Sequence, residues 1–239
     1  MKRLLVGLFV LLSITAQAQK EKEYVIDPNA SVRSIGGSFS AVQVSGGIDL
    51  YLSQSNEEAL AVSASEEKYK ENIKTKIEGN TLKIYYEGDK NWNSGRKKLR
   101  AYLSYKTLTG IKASGACDVL STGIIDVASL KLELSGACDF RGNVKVASLE
   151  LNLSGASDVR IEGTAGTVNI ESSGASDVKG FELITDVCTA KASGASDINI
   201  TVNKELSAHA SGASDISYKG TGMIKEIHSS GASSVARKN

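Results

Sequence analysis

The fold is decided by a short motif that returns along the chain at a near-constant interval. Residues 149–178 read LELNLSGASDVRIEGTAGTVNIESSGASDV, with SGASD at 154–158 and again at 173–177. The spacings between successive copies are 21, 19, 19, 20, 18 and 19 residues. Seven copies at this period predict stacked supersecondary units. The copies, which read SGACD, SGASD or SGASS, lie at 114–118, 135–139, 154–158, 173–177, 193–197, 211–215 and 230–234.

Apolar and polar residues alternate around each copy of the motif. The residue three before the motif Ser is apolar and the residue two before it is polar, as at Leu151 and Asn152. Another apolar residue, such as Val159, follows each copy. This period of two predicts strands with one buried face on both sides of a tight turn. Equivalent strands would stack in parallel, which predicts a parallel β-helix of about 19 residues per rung. The motif Gly should adopt a positive φ at the corner.

The segment 30–110 is predicted to be β-structure of a less regular kind. SGGID at 45–49 is a degenerate copy of the motif, and IKTKIEGNTLKIYY at 73–86 indicates a hairpin that turns at Gly79-Asn80. The charged stretch 64–72 is expected to form a short helix or a turn. Because no linker precedes residue 111, we expect a single domain over 30–239, with its regular repeat at 111–235.

The N-terminus has the features of a signal peptide. Residues 1–18 read MKRLLVGLFVLLSITAQA, with two basic residues, an apolar run at 4–12 and a small-x-small cleavage site at 16–18. The mature chain would begin at Gln19, with a tail over 19–29. We therefore expect an exported protein, either periplasmic or extracellular at the cell surface, without a later membrane span. The alternative interpretation is a buried N-terminal helix.

Composition gives no support to two classes of binding function. The 28 Lys and Arg residues nearly balance the 27 Asp and Glu residues, so bulk charge does not favour binding to nucleic acid or to an acidic membrane surface. Aromatic residues make up only 5% of the chain. Aliphatic and small residues must therefore fill the core.

Three stretches resemble one known family: FSAVQVSGGIDLYL at 39–52, EGNTLKI at 78–84 and the repeated SGA[CS]D motif. They are similar to the putative auto-transporter adhesin head GIN domain family, a domain of unknown function that is frequent in Bacteroidetes. The resemblance covers about residues 30–235. It implies a signal peptide, a right-handed parallel β-helix and an adhesin-like role in the cell envelope. It supplies no catalytic residues.

An aspartate ladder is one candidate site. Stacked carboxylates about 4.8 Å apart would repel each other by roughly 0.9 kcal/mol per pair in water. One interpretation is a row of Ca²⁺ sites, since oxygen ligands suit that ion. The other, which we favour, is that each Asp accepts turn amides or pairs with lysines. The candidate ligands are Asp118, Asp139, Asp158, Asp177, Asp197 and Asp215, with Asp49 as a candidate further member of the ladder.

Cysteine and histidine positions suggest two further sites. Cys117 and Cys138 occupy the same motif position on adjacent rungs, which would permit a disulfide in an exported protein; two buried thiols are the alternative. Cys188 should be a buried free thiol. His209 and His228 share an outward position on neighbouring rungs, where they are either surface residues or a Zn²⁺ site.

The loop 88–98 and the solenoid ends are candidate interaction sites. Trp92 and Arg96 could stack on a sugar or contact a protein partner, or Trp92 could cap the solenoid. Open parallel edges at the ends would permit homo-oligomers.

Three functional hypotheses follow. The first is a non-enzymatic exported binding or structural protein, adhesin-like, with a glycan or protein partner. The second is a polysaccharide-active β-helix enzyme, which would need long loops that the uniform repeat leaves no room for outside 88–98. The third is a Ca²⁺-stabilised structural module.

Overall fold

The computed structural model describes residues 27–88 and 97–239, which form a β-solenoid with a single helical turn. The predicted signal peptide lies outside the described residues. The elements are β1 (Ser31–Arg33), β2 (Ala41–Ser45), β3 (Ile48–Gln54), β4 (Ala59–Ser63), α1 (Glu67–Lys70), β5 (Ile73–Glu78), β6 (Thr81–Tyr86), β7 (Leu99–Tyr105), β8 (Gly110–Gly115), β9 (Asp118–Gly136), β10 (Asp139–Gly155), β11 (Asp158–Ser172), β12 (Asp177–Ala192), β13 (Asp197–Gly212), β14 (Asp215–Lys219), β15 (Met223–Gly231) and β16 (Ser234–Arg237).

Each copy of the repeat forms one turn of the solenoid. Strand β10 pairs in parallel with β9 and with β11, and Asp139 faces both Asp118 and Asp158 in register. The same parallel pairing continues through β12 and β13 to the next turn, which is divided into β14 and β15. Strand β16 stacks on β14 and begins a further turn. The predicted parallel β-helix with about 19 residues per rung is confirmed.

The corner requires glycine. Gly155 has φ +84°, and a Cβ atom at this position would overlap the carbonyl oxygen of Gly136 on the preceding rung. The same carbonyl accepts a hydrogen bond of 2.7 Å from the Ala156 amide. The predicted positive φ is confirmed, and it allows successive corners to stack closely.

The interior combines an aliphatic core with one column of buried hydroxyls. Inward residues such as Val159 and Ile170 are fully buried. The Ser214 Oγ lies 2.8 Å from the Ser211 carbonyl oxygen and accepts a hydrogen bond of 3.1 Å from the Ser211 amide. These contacts satisfy a polar group that would otherwise be costly to bury. The column contains Ser157, Ser176, Ser196 and Ser214.

The N-terminal part adds one more rung and a cap. Strands β2 and β3 flank the SGGID corner and pair in parallel with β8 and β9 on one side and with β6 and β7 on the other. Antiparallel β5 and β4 then cover β6 and β7. The predicted hairpin turns at Gly79 and Asn80, both with positive φ. Helix α1 provides the short helix expected within 64–72.

The C-terminal end has no comparable cover in the described part of the chain. Strand β15 is exposed along its whole length, and Ile224 and Ile227, which align with buried Leu206 and Ala208 of the previous rung, are 48% and 39% exposed. Homo-oligomerisation through this end stays a prediction. No helix among the described residues has the length and apolar character of a membrane span.

Candidate functional site: a groove along the solenoid

A groove of about 840 Å³ runs across seven successive rungs. Its surface comes mainly from outward positions of β8, β9, β10, β11, β12, β13 and β15. Between the outward rows, the largely buried residues Leu134, Leu153, Ser172, Ala192 and Ala210 also line it. Two rows of side chains extend along it. One is the motif Ser row, Ser135, Ser154, Ser173, Ser193, Ser211 and Ser230. The other is the polar row two residues before it: Lys112, Glu133, Asn152, Glu171, Lys191, His209 and His228.

Strand pairing places these rows. Lys112, Glu133 and Asn152 are in register on β8, β9 and β10, and their side chains point away from the core because Ile111, Leu132 and Leu151 point inward. Side chains alternate between the two faces of each strand, and neighbouring strands are in register. Equivalent side chains therefore lie in rows, at intervals of about 4.8 Å.

Charges in the groove are paired between neighbouring rungs. The Lys131 Nζ lies 3.1 Å from both Glu133 and Glu150 carboxylate oxygens, and Lys112 lies 3.3 Å from Glu133. Further along, Lys191 lies 2.9 Å from Glu171. Lys131 lowers the pKa of Glu133 below its usual range. The Asn152 amide, followed by Lys131, lowers the pKa of Glu150. The positive and negative side chains along the groove therefore neutralise one another in pairs.

Two imidazoles stand at the C-terminal end of the groove. The rings of His209 and His228 stack with centroids 5.1 Å apart. Glu226 lies 2.8 Å from the His228 Nε2 and 3.6 Å from the His209 Nε2. Sequence reasoning paired the histidines but missed Glu226, which precedes His228 by two residues on β15. Across the described ranges, no group of three His, Cys, Asp or Glu side chains could hold a metal ion.

The predicted aspartate ladder forms, but next to a basic row. Asp118, Asp139, Asp158, Asp177, Asp197 and Asp215 are in register on consecutive strands. Two residues later, the outward row carries Arg141, Arg160 and Lys179. The Lys179 Nζ lies 3.0 Å from Asp158 and 3.8 Å from Asp177, and the Ser234 hydroxyl donates to Asp215 at 2.7 Å. These partners offset part of the repulsion, and Ca²⁺ binding stays a prediction.

The cysteines occupy the predicted positions. Cys117, Cys138 and Cys188 are all buried free thiols. Burial raises the pKa of Cys188 to about 12. The disulfide between Cys117 and Cys138 stays a prediction. Trp92 and Arg96 fall outside the described residues, in the connection between β6 and β7.

The groove itself was not predicted from sequence. Its polar row was visible as an outward alternation, but the pattern does not reveal which outer face is concave. The stacked pair Tyr51 and Tyr102 was also missed. Their centroids are 5.1 Å apart on β3 and β7. Their proximity depends on the long connection through β4, α1, β5 and β6, which brings residues 51 positions apart into parallel register.

Fold and groove together define a parallel β-helix with a polar groove along its length. The chain belongs to the family described as "Putative auto-transporter adhesin, head GIN domain", whose model matches residues 38–222. The resemblance noted from sequence is thereby confirmed. No functionally curated protein is significantly similar to the chain.

Several solved structures share the fold. A putative adhesin from Bacteroides fragilis NCTC 9343 is 22% identical, with a TM-score of 0.81 over 87% of this chain and 96% of that one. A putative adhesin from Parabacteroides merdae ATCC 43184 is 17% identical, with a TM-score of 0.67 over 89% and 98%. A putative lipid binding protein from Parabacteroides distasonis ATCC 8503 is 18% identical, with a TM-score of 0.66 over 89% and 98%. At these identities the likeness shows the fold alone.

Proposed function

We propose that this protein is a non-enzymatic, exported, adhesin-like binding protein whose groove holds a linear glycan. The observation that carries the proposal is the groove across seven rungs, lined by rows of hydroxyl, amide and paired charged groups. The adhesin name of the family and the signal peptide predicted at residues 1–18 agree with it.

Repetition in the groove favours a polymer over a small molecule. The motif Ser recurs on six of the seven rungs, and each rung adds a polar side chain beside it. Seven rungs extend over about 29 Å at 4.8 Å per rung. A ligand with its own repeat can make similar contacts at several rungs, and many weak contacts then add to useful affinity.

Strand pairing favours a glycan over an extended peptide. Peptides in extended form commonly bind by adding a strand to an open sheet edge. The floor of the groove consists mainly of β9 to β13, each of which is paired on both sides. Recognition there must use side chains, and hydroxyls, amides and carboxylates suit the hydroxyl groups of a sugar.

Two carboxylates of the groove, Glu133 and Glu150, favour binding over glycoside hydrolysis. A general acid needs a raised pKa, because it must carry a proton at the working pH. In the groove, neighbouring Lys131 and Asn152 lower the pKa values of Glu133 and Glu150. These carboxylates are therefore placed to accept hydrogen bonds.

A glycan array with the purified protein tests the proposal. Ser154→Tyr should fill the groove centre and weaken glycan binding at least tenfold. Thr164→Tyr is the matched control, because Thr164 is an exposed outward residue on the next strand and does not line the groove. Absence of any bound glycan, or equal loss in both variants, would contradict the proposal.

A second candidate function is binding of an apolar ligand near the N-terminal end. A pocket of about 370 Å³ includes Val32, Ala61, Tyr51 and Tyr102, and Val32 is 83% exposed. One related structure is described as a putative lipid binding protein. Displacement of a fluorescent fatty acid measures this activity. Val32→Glu should abolish it and Met223→Glu, at the opposite end and 75% exposed, should not.

A further inference from the structure

Two buried thiols meet at the boundary between the irregular and the regular parts of the solenoid. Cys117 and Cys138 directly precede Asp118 and Asp139, which face each other across the parallel pair β9 and β10. Both side chains are fully buried, and the Cys138 Sγ donates to the Ser135 carbonyl at 3.3 Å. Neighbouring strands place their Cα atoms about 4.8 Å apart, within the range that disulfides span.

The column to which they belong shows why packing alone accounts poorly for two cysteines. It continues as the buried hydroxyls of Ser157 and Ser176, and begins at the fully buried Ile48. Cys117 Sγ donates to the Ser114 carbonyl at 3.4 Å, as the Ser157 hydroxyl does to Ser154 at 3.1 Å. A serine hydroxyl is therefore a better donor to this carbonyl than a cysteine thiol, which is a weak donor. Ile48, at the equivalent corner position of the preceding rung, suits an apolar sulfur at Cys117, but Cys138 lies between Cys117 and Ser157.

We propose that Cys117 and Cys138 form a disulfide that covalently joins the first two regular rungs. The oxidant is a protein or small-molecule disulfide. One thiolate attacks it and forms a mixed disulfide, which releases one thiol. The second cysteine then attacks its partner's sulfur and releases the other thiol. Two protein thiols are oxidised to one disulfide, the oxidant is reduced to two thiols, and the protons pass to the released thiolates.

Since both sulfurs are buried in the folded protein, the disulfide must form during folding, before the two rungs pack together. The bond would close a loop of about 20 residues. For a protein of this size, that cross-link should raise the melting temperature by about 5–10 °C.

Thiol counting tests the proposal independently of glycan binding. The purified protein is unfolded under reduction, refolded in buffer containing oxidised and reduced glutathione, acid-trapped, and alkylated with a maleimide in denaturant. Intact mass should show one modified thiol, which is Cys188, against three in a fully reduced sample. The Cys188→Ser variant should show none and the Cys117→Ser variant two.

The reduced and oxidised wild-type protein should also differ in melting temperature by the stated amount. Three modified thiols in the oxidised wild type, or stable glutathione adducts at Cys117 or Cys138, would overturn the proposal. The wild-type count does not depend on whether either variant folds.

Discussion

The regular rungs and the N-terminal part solve the same problem of strand edges in different ways. Strands β9 to β13 are paired on both sides by copies of themselves. The N-terminal rung instead ends at antiparallel strands, with Lys74 and Lys76 on the edge strand β5, and lysines on an edge discourage further pairing. The C-terminal rung leaves Ile224 and Ile227 exposed. A repeat therefore specifies its own stacking, whereas closing an end takes non-repetitive sequence.

The largest expected effect concerns the corner glycines, which should matter more in the regular rungs than in the N-terminal hairpin. Gly155→Ala forces a side chain into a positive φ and against the Gly136 carbonyl. The free energy of unfolding should fall by about 3–5 kcal/mol. Gly79→Ala also has a positive φ but meets nothing within 4 Å, so about 1 kcal/mol is expected. Urea denaturation measures both, and equal losses would show that rung contact does not matter.

A smaller loss of unfolding free energy should follow removal of a buried hydroxyl from the serine column of the regular rungs. In the N-terminal part, the same corner position is occupied by the apolar Ile48. Ser214→Ala leaves the Ser211 amide without its 3.1 Å acceptor. We expect a loss of about 1–3 kcal/mol in unfolding free energy. Ser230→Ala, on the exposed outer row, should change it by less than about 0.5 kcal/mol. If the exposed variant loses as much, the column is not what stabilises the corner.

Asp49, the N-terminal member of the aspartate ladder, should respond to substitution in the opposite direction to a regular-rung member. Burial, followed by the charge of Asp118, raises the pKa of Asp49 above 3.8. Between 3.8 and that raised value the folded state binds more protons than the unfolded chain, so stability falls as pH rises. Asp49→Asn should therefore stabilise the protein at pH 7, by up to about 0.9 kcal/mol.

The matched control for Asp49 is Asp158→Asn, which removes the ion pair with Lys179. Because that pair is exposed, it should cost between about 0 and 1 kcal/mol. Thermal unfolding from pH 3 to pH 7 compares the two variants. The Asp118 backbone amide also donates to the Asp49 carboxylate, which by itself lowers the pKa of Asp49. Destabilisation by Asp49→Asn at pH 7 would mean that this hydrogen bond outweighs burial and charge repulsion.

The smallest effect is expected from calcium. Because the ladder carboxylates already have Lys179 and Ser234 as partners, the melting temperature after EDTA treatment should rise by less than about 2 °C on addition of Ca²⁺. A large rise that Asp158→Asn and Asp177→Asn reduce would instead support the cation row.

The solenoid could be predicted from sequence because each rung repeats the same local sequence pattern. The motif spacing, the alternation around Leu151 and Asn152 and the corner Gly155 determine the rung, its register and its buried face. The path of β6 and β7 was not predicted, since pairing between strands distant in sequence leaves no local signal. The groove was missed for a related reason, because the curvature of a face depends on how whole rungs stack.

End-to-end association of the solenoid remains a prediction from sequence. The exposed Ile224 and Ile227 at the C-terminal end allow it to be tested by mutation. Light scattering at rising protein concentration should detect dimers or larger oligomers, and Ile227→Lys should reduce them. A strict monomer at high concentration would remove this prediction and would leave the groove unaffected.

Binding as a function of glycan length tests the central claim, that repeated rungs create a repeated binding surface, most directly. Isothermal titration would use a series of oligosaccharides of one bound type, graded in length. The account predicts that affinity rises with each added sugar and levels off once the glycan spans about 29 Å of the groove. An affinity that is the same for the shortest bound sugar and the longest would contradict it.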